Sequence, residues 1–112
     1  MTGTSISQEL IKSLKPLRSD SGNKGTFGKL LIVAGSRYMS GAAVLSVSSA
    51  LRTGVGLTEL MSDEKSLDAI RANCPCALTV PVDGNYLKSA NDILKRCSAV
   101  LIGPGQIGRA HV

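Results

Sequence analysis

Three glycine-bearing turns are where this chain could do chemistry. Lys24-Gly25-Thr26-Phe27-Gly28 leads through Lys29 into the aliphatic run Leu30-Leu31-Ile32-Val33-Ala34. That run ends at Gly35-Ser36-Arg37-Tyr38-Met39-Ser40-Gly41, followed by Ala42-Ala43. A buried strand, a polar turn and a helix start leave free backbone N–H groups at the carboxyl end of the strand, where α/β proteins take anionic ligands. Gly103-Pro104-Gly105 closes a later aliphatic run, Ala99-Val100-Leu101-Ile102, and glycine there lets a ligand approach the backbone. Each turn also has a plain reading: an ordinary strand-to-helix connection at 35–41, a change of chain direction at 103–105.

The 35–41 turn is not a standard phosphate loop. A P-loop needs Gly-Lys-Ser/Thr before its helix, and Gly41 is followed by Ala42-Ala43. A dinucleotide fingerprint needs G-x-G-x-x-G, and Gly35-Ser36-Arg37 breaks it at the third position. No nucleophile–base pair, carboxylate dyad or metal-ligand cluster can be assembled. Asp63, Glu64 and Asp68 read as a solvated helix face and Asp83 as a turn residue, so no catalytic residue and no metal ligand is assigned. Arg37 and Tyr38 stand in the turn where a ligand would meet them, or are simply solvated.

With 112 residues the chain makes one small domain. A hydrophobic share of 43% supports a core, and an aromatic share of 3% makes that core aliphatic. So few aromatics leave almost no base-stacking platform for single-stranded nucleic acid. The net charge of +5 lies in residues 1–52, where seven Lys/Arg face only Glu9 and Asp20; residues 53–112 hold six of each sign. The excess thus surrounds the first glycine-rich stretch, which would attract a phosphate-bearing ligand or merely solvate the surface. Cys74, Cys76 and Cys97 are an odd count without zinc spacing. They read as reduced thiols packed as small hydrophobes, in a cytoplasmic protein. No run is long enough to span a membrane, and no signal-peptide core is present.

The periodicity predicts a helix over 5–14, with Ile6, Leu10, Ile11 and Leu14 on one side and Ser5 as its cap. Pro16 ends it, and 18–28 is a loop. A strand covers 30–34. The strongest helix spans 40–53, with Ala43, Val44, Val47, Ala50 and Leu51 inward, Ser40 as its cap and Gly54 as its stop. A strand at 56–61 precedes a short helix capped by Ser62, with Leu67, Ile70 and Ala72 inward. A strand at 77–82, a turn at Asp83-Gly84-Asn85, a helix over 86–96 and a strand at 99–102 complete the series. In that last helix Leu87, Ala90, Ile93 and Leu94 share one face. Such alternation defines right-handed βαβ units and a mostly parallel sheet. The last strand would leave an open aliphatic edge, the mark of an amino-terminal piece of a larger domain.

The order of the motifs resembles one family, the ADP- or ATP-dependent NAD(P)H-hydrate dehydratases of the ribokinase-like superfamily. The resemblance rests on Lys24-Gly25-Thr26-Phe27-Gly28, Ala34-Gly35-Ser36, Gly41-Ala42-Ala43-Val44-Leu45, Ala50-Leu51-Arg52-Thr53-Gly54-Val55-Gly56 and Ile102-Gly103-Pro104-Gly105. It implies a three-layer ribokinase-like α/β fold with a mostly parallel sheet, incomplete at the C-terminus. Residues 1–106 would be the amino-terminal part of a single dehydratase domain of this carbohydrate-kinase-like type. It implies a repair lyase that returns (S)-NAD(P)H hydrate to NAD(P)H, driven by hydrolysis of ADP or ATP as co-substrate, with Mg2+. By the same resemblance Ala42 and Gly105 contact the hydrated nicotinamide nucleotide, and Gly41 and Gly103 shape the two loops. Three positions depart from the family pattern: Asn23 where His is common, Cys76 where Glu is common, and Gln106 where Leu is common. The family's nucleotide-binding segment and its Gly-Gly-Thr-Gly-Asp motif, whose Asp is the expected catalyst, have no counterpart in this chain. The piece is therefore expected to be inactive alone and the full-length protein to form a homo-oligomer.

Other readings stay open. A ribokinase-like small-molecule kinase shares the architecture, but not usually the Lys-Gly-x-Phe-Gly lead-in. A non-catalytic nucleotide-binding module would lack a downstream catalytic Asp. A nucleic-acid binder would need Lys/Arg gathered on one helix face, which is missing, and a membrane partner has no segment to hold it.

Residues 107–112, Ile-Gly-Arg-Ala-His-Val, are read as a non-native tail. They are what a common sequencing adapter encodes as ATC GGA AGA GCA CAC GTC, followed by the stop TGA. The adapter begins two bases earlier, which would make Gln106 a hybrid codon. His111, the single histidine, is accordingly given no role. Sequencing the same locus from an independent genomic clone is expected to show the native reading frame diverging after residue 105 or 106; genomic codons for Arg109-Ala110-His111-Val112 would end this reading.

Overall fold

The computed structural model describes residues 2–23, 27–82 and 86–106, with the backbone alone at 86 and 87. The central part of the lead-in (24–26), the turn at 83–85 and the tail at 107–112 lie outside the described residues. The elements run α1 (Gln8–Leu14), β1 (Lys29–Val33), α2 (Gly41–Thr53), β2 (Leu57–Ser62), α3 (Glu64–Asn73), β3 (Leu78–Pro81), α4 (Tyr86–Leu94) and β4 (Ala99–Ile102).

All pairings among the strands are parallel, in the order β3-β2-β1-β4. Parallel neighbours need crossover helices, and right-handed crossovers fix the faces. The chain steps from β1 to β2 to β3 in one direction, with α2 and α3 as the crossovers. It then returns past β1 to β4, so α4 must lie on the opposite face. The packing agrees. Ile32, Ala34 and Leu60 meet Ala43 and Val47 of α2 and Leu67 and Ile70 of α3. On the other face Leu31, Val33 and Met61 meet Ile93 of α4, with Val80, Val82 and Ala90 partly buried beside them. A helical layer, a sheet and a second helical layer result. The aliphatic run of β1 serves both cores, as expected of a strand covered on both sides; burying each such Leu or Ile is worth about 1.5–3 kcal/mol. Among the described residues no helix is long and apolar enough to cross a membrane.

The caps differ in detail from the sequence reading. Ser7, not Ser5, caps α1, accepting from the Leu10 N–H. Ser40 occupies the α2 cap position but makes no side-chain hydrogen bond there. Ser62 is the last residue of β2, and Asp63 caps α3 through the Lys65 N–H. A carboxylate reaches those first-turn amides at no cost in strand length, so β2 extends one residue further. Ala72 and Leu94 turn out exposed. The apolar side of α1 is left largely open: Ile11 and Leu14 are exposed, as is Ile6 before the helix, Leu10 is half-buried, and the helix buries no residue. Val100, Leu101 and Ile102 of β4 are exposed as well.

One stabilising feature has no signature in the local residue pattern. Glu59, in the middle of β2, is buried among apolar neighbours, and its side chain is 5% exposed. The guanidinium of Arg96, just past α4, donates to both of its oxygens at 3.0 Å and adds an Nε contact at 3.2 Å. This forked pair fastens α4 to the sheet. Next to it, burial first and the Glu59 carboxylate second push the Cys97 thiol up, which keeps it protonated and a poor nucleophile at neutral pH. All three cysteines are free thiols.

Removing only Arg96 would strand a nearly buried carboxylate. Breaking a buried pair costs about 3–5 kcal/mol; because Arg96 itself is half exposed, Arg96→Met is expected to cost about 2 kcal/mol. The double variant Glu59→Leu, Arg96→Met should recover most of that loss in denaturant unfolding. A double variant no more stable than Arg96→Met would contradict this account.

Candidate functional site

β1 is the strand from which the sheet grows both ways, so the strand order reverses between β1 and β4. In an open parallel sheet the crevice at the carboxyl ends of such strands is where ligands bind. Here that crevice is walled by the 35–41 turn after β1 and the 103–105 turn after β4.

The two turns are locked together. The Gly35 N–H donates to the Pro104 carbonyl at 2.7 Å, and the Gly103 N–H to the Val33 carbonyl at 3.1 Å. Gly105 adopts φ +72°, in the left-handed region, and a Cβ built on it would lie 2.9 Å from the Ala42 Cβ, 2.9 Å from the Met39 carbonyl oxygen and 3.2 Å from the Gly35 Cα. Gly35, at φ +79°, is as constrained: its Cβ would stand 3.0 Å from both the Ala43 Cβ and the Ser62 Oγ. Both positions require glycine for conformation and for space at once.

Of the four residues singled out from the sequence, Ala42 and Gly105 are in direct contact. Gly41 opens the first turn of α2, exposed, with nothing within 4 Å of where its Cβ would be. Gly103 ends β4 with open space at its Cβ position. All four therefore stand at the same edge of the sheet, though Gly103 takes no part in the Ala42–Gly105 contact. Ser40 makes no side-chain cap bond and the first turn of α2 holds no acid, so among the described residues no side chain accepts from the Gly41, Ala42 and Ala43 amides, an arrangement suited to an anionic or carbonyl oxygen. Arg37 and Tyr38 lie in the same turn, the guanidinium 5.4 Å from the ring centroid and the ring exposed.

The described part of the lead-in, Phe27 and Gly28, does not join this site. Phe27 and Gly28 sit at the amino end of β1, with their carbonyls accepting from Gly56 and Leu57. The five residues of β1 put about 16 Å between the two ends. Phe27 stacks under Arg18 at 4.1 Å, and Arg18 reaches the Gly54 carbonyl at 3.4 Å. The basic excess is likewise not gathered at the candidate site, where Arg37 is its representative. Cys76 faces a cleft of about 280 Å³ at the amino edge, shared with Ser48, Arg52 and Cys74, so its departure from the family pattern does not touch the 35–41 turn.

Sequence reasoning missed the serines beneath the turn. Ser36 and Ser62 are buried, and their hydroxyls have no hydrogen-bond partner among the described residues. Ser66, also buried, donates to the Ser36 carbonyl at 2.6 Å. Serine in a strand-end or first-turn position reads as a cap, which hides a buried role.

Comparison with known structures gives the same architecture. The chain superposes on a ribokinase-like superfamily protein of Enterococcus faecalis with a TM-score of 0.85 and 25% identity, covering 95% of this chain and 37% of that one. It matches the ADP/ATP-dependent NAD(P)H-hydrate dehydratase of Bacillus subtilis, co-crystallised with ATP/Mg2+, with a TM-score of 0.75 and 26% identity over 95% of this chain and 38% of that one. The parallel sheet in the order β3-β2-β1-β4, with helices on both faces, is thus that of a ribokinase-like α/β protein. More narrowly, the chain belongs to the NAD(P)H-hydrate dehydratase family, whose model matches residues 30–110. The ADP-dependent (S)-NAD(P)H-hydrate dehydratase of Lactococcus lactis is 31% identical over 100 residues, 89% of this chain and 36% of that protein. The chain spans about a third of the length of the curated relatives it matches.

The Ala42–Gly105 contact is directly testable. Gly105→Ala is expected to cost about 1–3 kcal/mol, the price of a side chain in the left-handed region, plus the clash. Ala42→Gly should return part of this in the double variant, seen as a coupling in a double-mutant cycle by denaturant unfolding. Additive effects would show that the two residues do not touch.

Proposed function

We propose that this chain is the amino-terminal part of an ADP- or ATP-dependent (S)-NAD(P)H-hydrate dehydratase, and that its 35–41 and 103–105 turns form one wall of the pocket for the hydrated nicotinamide nucleotide. The observation that carries the reading is the seating of Gly105 against Ala42 and Gly35 at the edge where the strand order reverses. The names of the matched relatives supply the substrate and the reaction class.

In this reading Ala42 and Gly105 contact the nucleotide, and Gly41 and Gly103 keep the approach open. The first amides of α2 hold a polar oxygen of the ligand, and the close-packed glycines exclude water from that side. The reaction removes water from the hydrated dihydronicotinamide ring and restores its double bond, with ADP or ATP hydrolysis supplying the drive. A catalytic carboxylate and the adenine-nucleotide site belong to a part of the protein outside this chain. Among the described residues no three His, Cys, Asp or Glu side chains come together as metal ligands. The proposal includes a Mg2+ ion that accompanies the adenine nucleotide. The proposal extends to a homo-oligomeric, cytoplasmic enzyme, in keeping with the three free thiols.

The test is to express the complete open reading frame and assay it with hydrated NADPH plus ADP or ATP, beside a panel of sugar and vitamin-precursor kinase substrates. NADPH formation that depends on the adenine nucleotide is expected from the complete protein and not from residues 1–112 alone. Phosphorylation of a panel member without dehydration would replace this reading with a kinase. Dehydration by the 112-residue chain alone would show that the reactive groups lie within it.

A further inference from the structure

Ser66 is the buried hydroxyl that ties α3 to the candidate site. Helix hydroxyls in this chain mostly bond within their own helix: Ser13 to the Leu10 carbonyl, Ser46 to Ala42, Thr53 to Ser49. That is the usual local habit of such side chains. Ser66, 1% exposed, instead donates at 2.6 Å to the carbonyl of Ser36, thirty positions away and 2% exposed.

That carbonyl is the hinge of the turn. It also accepts the Met39 N–H at 3.0 Å, while the Met39 carbonyl accepts the Ser36 N–H at 3.4 Å. The same Met39 carbonyl oxygen lies 2.9 Å from where Gly105 would carry a Cβ. A short chain of contacts therefore runs from Ser66 to Ser36, to Met39, to the seat of Gly105 beside Ala42. The hydroxyls of Ser36 and Ser62, both buried and without partners among the described residues, give the turn no such anchor.

We infer that Ser66 is a positioning residue: its hydroxyl, acting through the Ser36 carbonyl, fixes the 36–39 turn in the shape that seats Gly105 against Ala42 and presents the first amides of α2. It touches no substrate and acts on the pocket only through the turn. The consequence for substrate rests on the proposed function; the effect on the turn does not.

The test uses the complete protein with Ser66→Ala, with Thr53→Ala as a control that removes an exposed, locally bonded hydroxyl. Hydrogen exchange read by mass spectrometry is expected to rise about three- to tenfold in the peptide covering 36–43, the range set by one net hydrogen bond, and to stay unchanged in α4. Unchanged exchange at 36–43, or an equal rise throughout the chain, would overturn the inference. In the dehydration assay KM for the hydrated cofactor should rise by a similar factor, with kcat and the KM for the adenine nucleotide held within twofold. A looser turn with an unaltered KM would also overturn it as a statement about the pocket. If the complete protein shows no dehydration, the proposed function fails and the exchange measurement still decides the role of Ser66 in the turn. Should Ser66→Ala not fold, Ser66→Cys keeps the shape with a weaker donor and is read by the same exchange measurement.

Discussion

The backbone hydrogen bond from the Gly35 N–H to the Pro104 carbonyl, 2.7 Å long, is what turns two separate loops into one site. It forms because β1 and β4 are parallel neighbours in register, Val33 beside Ile102, so that both strands finish at the same height. The turns that follow must then share a space too small for side chains. Glycine at 35 and 105 and alanine at 42 resolve that crowding, which leaves the backbone itself as the surface a ligand would meet. The three residues matter because they are nearly featureless: each keeps the wall thin and its amides within reach.

Much of this was legible in the sequence. The aliphatic run bounded by glycine identified β1, which is buried on both faces, as is its neighbour β2. The 3.6-residue pattern of α2 predicted its inward side, with Ala43 and Val47 fully buried. Ala42 and Gly105 could each be named from a family resemblance, but the contact between them depends on the strand order, which no local pattern encodes. The order follows from the handedness of crossovers only once it is known that the chain returns past β1.

The illegible features are those in which a polar residue does something its local neighbourhood does not announce. Glu59 interrupts an apolar strand and looks like a weakness there; it is resolved by Arg96, thirty-seven positions later. Ser62 and Ser66 look like capping residues and lie buried under a turn instead. The apolar side of α1 fits a helical template as well as α2 does, yet is left largely open. Periodicity reports that a face could be buried, while burial itself depends on where the rest of the molecule lies.

The way the helices are strung between the strands also sorts the charge. Arg52 and Arg71 close α2 and α3, where helix dipoles favour cations, and Lys29 and Arg18 stand at the same rim. Arg71 is paired with Glu64 and Asp68, so Arg52, Lys29 and Arg18 carry that rim's charge, while the opposite rim sets Arg37 and Lys65 beside the capping carboxylate of Asp63. A polyanion diffusing toward this part of the protein would be drawn chiefly to the rim away from the glycine-walled crevice. Entry to the crevice would then depend on short-range fit and scarcely on ionic strength, whereas nonspecific clinging at the cationic rim would fade as salt is added.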